Sequence, residues 1–236
     1  MVDDIAFTGE NLKKGLEKEG HDVFLTRNLK WHHILSKKLA GRQGFDIVHI
    51  HSPNFKKLGI SWRYLTKSLL SFDIKLVCHW HGSDLRHPTT AFPVYEFLKR
   101  AADFNLYSTL DLAWWLRKIP RDKKMLLTCP IDTDLFKSNG NTKQGAVVFT
   151  GGGKSMKVHK VPHDMMPEYL NRFETVHVYN ADGLDDGLLS VVAMEAVACG
   201  CVVPELPWLD RRWVLDNASI ALQTEKLINV YEGLMK

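Results

Sequence analysis

Residues 183–206 read GLDDGLLSVVAMEAVACGCVVPEL, an acidic glycine-rich loop running into an apolar helix and then a short apolar stretch. Leu189, Val192, Ala193, Ala196 and Val197 recur at helical spacing, Gly200 stands where a C-terminal cap belongs, and Cys201–Val203 reads as a buried strand. Loop, helix and strand in that order make an anion site, because the loop N–H groups and the positive end of the helix dipole both favour negative charge. Glu195 is a carboxylate on the otherwise apolar helix. It either meets the hydroxyls of a ligand or lies on a solvent edge of an ordinary amphipathic helix.

The rest of the chain repeats the alternation of strand and helix, which predicts an α/β protein with parallel sheets flanked by helices. A helix over Asn11–Lys18 ends at Gly20 and leads to a strand at His21–Leu25. A basic helix near Ile34–Leu39 precedes the strand Asp46–His51, and a helix near Trp62–Leu70 precedes the strand Lys75–His81. Helices at Val94–Ala102 and Leu110–Leu116 bracket a strand at Phe104–Tyr107, and Met125–Thr128 closes this set. The polar tract Asp132–Gly145 reads as a linker. Beyond it come a strand at Ala146–Thr150, a helix at Asp164–Arg172, a strand at Thr175–Tyr179, the stretch quoted above and a helix at Glu225–Met235. The expected division is a first lobe over 1–135, a second and smaller lobe over 136–220, and a C-terminal helix over 221–236 that packs back on the first.

Size and charge bound the function. A chain of 236 residues with 45% hydrophobic content can build real cores. No apolar run approaches the roughly 20 residues of a membrane span, and MVDDIAFTGE has no basic and apolar signal-like start, so the expected compartment is the cytoplasm. The four cysteines, Cys78, Cys129, Cys199 and Cys201, have no zinc-like pairing and are expected to be reduced. Through residue 135 there are 21 Lys/Arg against 15 Asp/Glu, and after it 10 against 12. The basic first part suits an anionic substrate or lipid headgroup, while nucleic acid needs a denser patch and is excluded as a partner.

Ligands of parallel α/β sheets bind at the carboxyl ends of strands. Four loops stand there: Ser52-Pro53, His81–Asp84, Gly151–Lys154 and Gly183–Gly187. In CHWHGSD a strand ends in the imidazole of His81, with Gly82 allowing close approach and Asp84 able to orient a polar group. Gly151, Gly152 and Gly153 expose backbone N–H groups, and Lys154 and Lys157 add charge, as a phosphate cradle requires. It is not a Walker loop, because the first glycine position falls on Val148, and no G-x-G-x-x-G follows a strand.

His49 with His51, and His79 with His81, lie at i and i+2, which puts each pair on one sheet face and allows a zinc site across adjacent strands. Asp84 is the one nearby carboxylate, and parallel strands are normally covered on both faces. The segments Leu110–Lys118 and Lys56–Lys67 mix tryptophan or tyrosine with cations, the composition of an interfacial helix, although core packing of Trp114 or Trp115 accounts for it equally.

In order, NLKKGLEKEGHDV (11–23), FDIVHIHSP (45–53), LVCHWHGSDL (76–85), ADFNLYSTLDLAWWL (102–116), PIDTDLF (130–136), VPHDMMPEYLNRFETVHVY (161–179) and AMEAVACGCVVPEL (193–206) resemble the family 4 retaining glycosyltransferases. That resemblance implies a GT-B architecture of two Rossmann-like lobes, the second reduced, the first facing the acceptor and the second the donor. It implies His81 and Asp84 as catalytic residues beside the transferred sugar. It implies Gly151, Gly152, Lys154, Lys157, Asp186, Gly187, Leu189, Ser190 and Glu195 on the donor, with Glu195 holding ribose hydroxyls. Thr8, Gly9 and Ser52 fall on the acceptor side.

The implied reaction transfers a sugar from a UDP- or GDP-linked donor, with retention and without a metal or other cofactor, to a glycan, lipid or small-molecule acceptor. Peripheral membrane contact and a homo-oligomer are compatible with it. The family's paired glutamates are reduced here to one, since Gly187 stands eight residues before Glu195, and Cys129-Pro130 replaces the interlobe asparagine-glycine. The alternatives are a non-catalytic or partner-dependent sugar-nucleotide-binding protein and a His-rich metallohydrolase.

Overall fold

The computed structural model describes residues 8–25, 45–51, 73–81, 92–151, 161–180 and 191–236. They form two compact units, one of Met1–Leu127 with Thr224–Lys236 and one of Thr128–Gln223.

The first unit contains a parallel four-stranded sheet in the order β1 (Ile47–His51), β2 (Lys75–Trp80), β3 (Phe104–Tyr107) and β4 (Lys124–Leu126). His51 pairs with His79, and His79 in turn with Leu106. Because successive strands are added in one direction, right-handed crossovers must all fall on one face. Helices α2 (Phe92–Ala101) and α3 (Leu112–Trp115) do so: Tyr95, Leu98, Leu112 and Leu116 pack with Val48, Ile50, Leu76, Cys78 and Trp80. The opposite face carries the alternate residues, Val77 and Leu106, against Leu12 and Leu16 of α1 (Thr8–Lys18) and Leu227 of the C-terminal helix. A period of two thus divides each strand between two apolar layers, as a sheet covered on both sides demands. The buried Trp80 Nε1 donates to Asn105 Oδ1 at 2.9 Å, and Asn105 Nδ2 donates to Lys99 O at 3.0 Å, so the polar atoms of this layer are matched.

The second unit pairs β5 (Ala146–Gly151) with β6 (Thr175–Asn180), again in parallel. Helices α4 (Met166–Leu170), α5 (Val191–Ala198) and α6 (Arg211–Ala218) surround its core, in which Leu170, Val176, Ala193, Val197, Val203 and Val214 are buried. Helix α7 (Ile220–Met235) closes the chain; its residues from Thr224 belong to the first unit. Asp132–Gly145, read from sequence as a linker, lies inside the second unit. Phe136 is buried in its core, Asn139 N donates to Asn171 Oδ1, and Lys143 Nζ donates to Cys199 O at 2.8 Å.

Two sequence expectations are corrected. His21–Leu25 forms no strand among the described residues: its side chains are largely exposed, and Val23 alone of the five packs against a core. Cys201–Val203 is not a strand but a single bridge, Thr175 to Val202, since Pro204 follows at once and removes the next donor. The helix expected over Asp164–Arg172 is shorter, a 3₁₀ turn at His163–Met165 followed by α4. Leu110–Leu116 contracts to the single turn of α3. The helices read near Ile34–Leu39 and Trp62–Leu70 lie outside the described residues.

Both glycine caps read from sequence are present with the same hydrogen bonds. After α1, His21 N donates to Leu16 O and Gly20 N to Glu17 O; after α5, Cys201 N donates to Ala196 O and Gly200 N to Val197 O. This paired arrangement needs a left-handed residue, and Gly20 and Gly200 have φ of +89° and +83°. At Gly200 a Cβ would meet Ser138 Cβ at 3.5 Å, an ordinary contact, so the backbone alone sets the penalty. Gly200→Ala is expected to lower unfolding free energy by about 1–2 kcal/mol, read as a shift of the urea midpoint; no shift would show that α5 does not depend on this cap.

Candidate functional site

The carboxyl ends of β1 and β2 carry four imidazoles on one sheet face. His49, His51 and His79 have the parity of Val77 and Leu106, and His81 continues that parity past the last residue of β2. His49, His51 and His79 are 3%, 0% and 0% exposed, whereas His81 is half-buried. The rings stack in a row: His49 and His51 have centroids 4.3 Å apart at 21°, and His79 and His81 4.1 Å apart at 35°.

Polar neighbours fix the outer edge of this row. His79 Nε2 lies 3.1 Å from Leu127 O, a carbonyl that can only accept, so the neutral ring carries its proton on Nε2 and leaves Nδ1 as a lone pair. Ser108 Oγ is 3.1 Å from His79 Nε2 and 2.8 Å from His81 Nδ1, joining the two rings through one hydroxyl. His81 Nε2 is 3.1 Å from His51 Nδ1, and His49 Nδ1 is 2.7 Å from the hydroxyl of Tyr231 on α7. His79, Ser108, His81 and His51 therefore form one hydrogen-bonded chain.

Burial holds these rings neutral. His49, His51 and His81 are pushed well below the ordinary imidazole value by desolvation first and by neighbouring imidazoles second. His79 falls to about 3, desolvation outweighing the opposing bond to Leu127. Tyr231 is pushed up by burial and stays protonated.

The second unit holds the other candidate. Glu195 sits in the middle of α5, 3% exposed, and His163 Nε2–H donates to its Oε1 at 3.0 Å. Burial raises the Glu195 pKa, with the His163 bond acting in the opposite direction. The carboxylate is therefore inside the apolar layer and not on a solvent edge, which sets aside the solvent-edge reading of that helix. His163 in turn packs against Phe136, with ring centroids 5.3 Å apart.

Of the residues named from sequence, the structure thus locates His81 and Glu195 in polar arrangements. Gly151 is the last residue of β5. Thr8 and Gly9, which the resemblance puts on the acceptor side, occupy the first turn of α1 and are buried. Ser52, Asp84, Gly152, Lys154, Lys157, Asp186, Gly187, Leu189 and Ser190 lie outside the described residues, as does Lys56–Lys67. Three residues were not singled out: Ser108, Tyr231 and His163. Ser108 and His163 fall within quoted motifs and follow a strand end and a proline. Tyr231 carried no signal, standing 182 residues from His49.

The aromatic-basic segment at 110–118 is split by packing. Trp115 lies against the core of the first unit, while Trp114 is 58% exposed with the Arg117 guanidinium 3.8 Å from its ring centroid. None of the four cysteines is in a disulfide, and burial pushes the Cys199 thiol up to about 12. Among the described residues no helix is long and apolar enough to cross a membrane.

Four imidazoles with lowered folded pKa values make stability depend on pH with a definite sign. The unfolded chain takes up protons near pH 6.5 and the folded one does not, so stability is full above that value and is lost as pH falls below it. Urea unfolding followed by tryptophan fluorescence should place the stability maximum at about pH 7.5–8, because the Cys199 and Cys201 thiols, raised by burial, lower stability again above that range. It should show a loss of up to about 1.4 kcal/mol per pH unit for each such ring below 6.5. A flat profile to pH 5 would show that these rings titrate alike in both states.

No family model matches this sequence, and comparison with curated proteins gives no match, so the arrangement of side chains stands on its own chemistry.

Proposed function

We propose that the protein is a sugar-nucleotide-dependent glycosyltransferase of GT-B type, acting with retention and without a metal in the transfer step. In this reading the first unit is the acceptor-side lobe and the second the donor lobe. The observation that carries it is Glu195. A carboxylate 3% exposed on an apolar helix, with His163 as its one hydrogen-bond donor among the described residues, is costly to hold unless further donors arrive. Two ribose hydroxyls supply them. Support also comes from His81, half-buried at the carboxyl end of a parallel sheet where α/β ligands bind and tied to Ser108.

In the proposed reaction the anomeric carbon–oxygen bond to the diphosphate breaks with its electron pair leaving on the nucleoside diphosphate. The acceptor oxygen bonds to the same face of the sugar, and the acceptor proton passes to the departing diphosphate. Charge builds on the leaving group as the sugar becomes cationic, so fixed N–H groups and cations near β5, with Lys154 and Lys157 as candidates, stabilise the transition state. His81, neutral at pH 7, accepts or donates a hydrogen bond at the sugar without adding a competing charge.

A lipid or membrane-borne acceptor belongs to the same proposal. Leu110 and Trp114 are 65% and 58% exposed beside Arg117 and Lys118, a combination suited to an anionic interface. A partner-dependent binding protein is the second reading, favoured by Gly187 in place of the first glutamate.

UDP or GDP at 100 times its dissociation constant should stabilise the protein by about 2.7 kcal/mol, visible as a higher melting temperature. Glu195→Gln should abolish that shift. Because burial raises the Glu195 pKa on folding, the ionised group opposes folding above that value, and the same variant should leave the ligand-free protein as stable or more stable at pH 7.5. Absence of a shift with any nucleoside diphosphate overturns the proposal. A retained shift in His81→Ala with transfer abolished selects the enzyme, whereas a wild-type protein that binds nucleotide and transfers nothing selects the second reading.

A further inference from the structure

We propose that His49, His51 and His79 bind one divalent transition-metal ion of the zinc class. Each ring has one nitrogen occupied by a fixed neighbour: His49 Nδ1 by Tyr231, His51 Nδ1 by His81, and His79 Nε2 by Leu127 O. The other nitrogen of each, His49 Nε2, His51 Nε2 and His79 Nδ1, is buried and has no hydrogen-bond partner among the described residues. An orphaned buried polar atom costs about 1–3 kcal/mol, and three such atoms gathered on one face of two paired strands are a cost that a shared ligand would remove. One nitrogen held by an oriented neighbour and one lone pair left open is the arrangement that prepares an imidazole to ligate a metal.

The geometry permits a shared ion. One ligand atom from each of the three rings lies within 4.8 Å of the others. Metal–nitrogen bonds of about 2.0–2.1 Å in a tetrahedral site need nitrogens about 3.3 Å apart, so the stacked rings must turn out of parallel as they close on the ion. Three neutral nitrogen donors and no carboxylate select zinc, copper, nickel or cobalt over magnesium or calcium. Hydroxide or another small anion in the fourth position would offset one of the ion's two positive charges.

This site is separate from the nucleotide reading. The ion takes no part in the bond changes of the transfer step, and its binding is measured without donor or acceptor. It would, however, commit the His51 proton to Nδ1, which then donates to His81 Nε2 and fixes the tautomer of that ring.

The test is direct. Full-length protein stripped with a chelator and exchanged into metal-free buffer is titrated with Zn²⁺ alone against a chromogenic chelator, and with Co²⁺ alone followed by visible absorption. One equivalent of Zn²⁺ and the absorption bands of tetrahedral nitrogen-ligated cobalt are expected. His51→Gln and His79→Gln, each checked by circular dichroism, should lose the site, and Tyr231→Phe should weaken it about 10-fold through the His49 ring it holds. Wild-type protein that is folded and takes up no stoichiometric Zn²⁺ overturns the proposal, whatever the variants do. So does uptake unchanged in folded His79→Gln, which places the ion elsewhere. A protein that binds zinc and no nucleotide keeps this site and loses the transferase reading, and the reverse result separates them the other way.

Discussion

The parallel ladder between β1 and β2 sets His51 directly opposite His79, and the arrangement of the first unit follows from that register. Slipping one strand by a single residue would turn every side chain to the opposite face. If β1 slipped, His49 and His51 would enter the layer of Leu98 and Leu112, and Ile50 would face α1 and α7. The register is held from both sides. The apolar layers anchor the amino ends of the strands, and Leu127 O, Ser108 and Tyr231 engage the polar carboxyl ends. The imidazoles are thereby confined to one end of one face.

The two candidate sites use burial in opposite ways. In the first unit desolvation keeps bases uncharged and their lone pairs available. In the second it encloses an acid to which, among the described residues, His163 alone gives a side-chain hydrogen bond. Both are polar groups whose surroundings leave part of their hydrogen-bonding capacity unused, and unused capacity inside a packed layer is where a ligand contributes most.

Local features were legible in the sequence because their causes are local. Gly20 and Gly200 announce helix ends by needing a left-handed backbone, and Ile47–His51 announces a strand by apolar continuity. The i, i+2 spacing placed each histidine pair on one face, and the parallel ladder brought the two pairs together. What could not be read depends on distance along the chain. Nothing near Tyr231 says that its hydroxyl meets His49, and Cys201–Val203 has the composition of a strand while Pro204 leaves it a single bridge. The carboxylate at 195 was ambiguous for a related reason: a helix face is apolar or wet according to what packs on it, and α5 is covered by residues as far apart as Phe136 and Val214.

Helix α7 supplies Leu227, Ile228, Tyr231 and Leu234 to the layer that Leu12 and Leu16 begin. The first unit is therefore discontinuous along the chain, its two segments separated by the 96 residues of Thr128–Gln223. During synthesis its sheet can pair early, but Leu227, Ile228, Tyr231 and Leu234 can join the face bearing the histidines only after the whole second unit has been made. Through that interval the second unit can reach its own fold first, reversing the usual order in which amino-terminal domains mature. The Tyr231 contact that orients His49 is thus formed late, after the strand that carries His49 has long been in place.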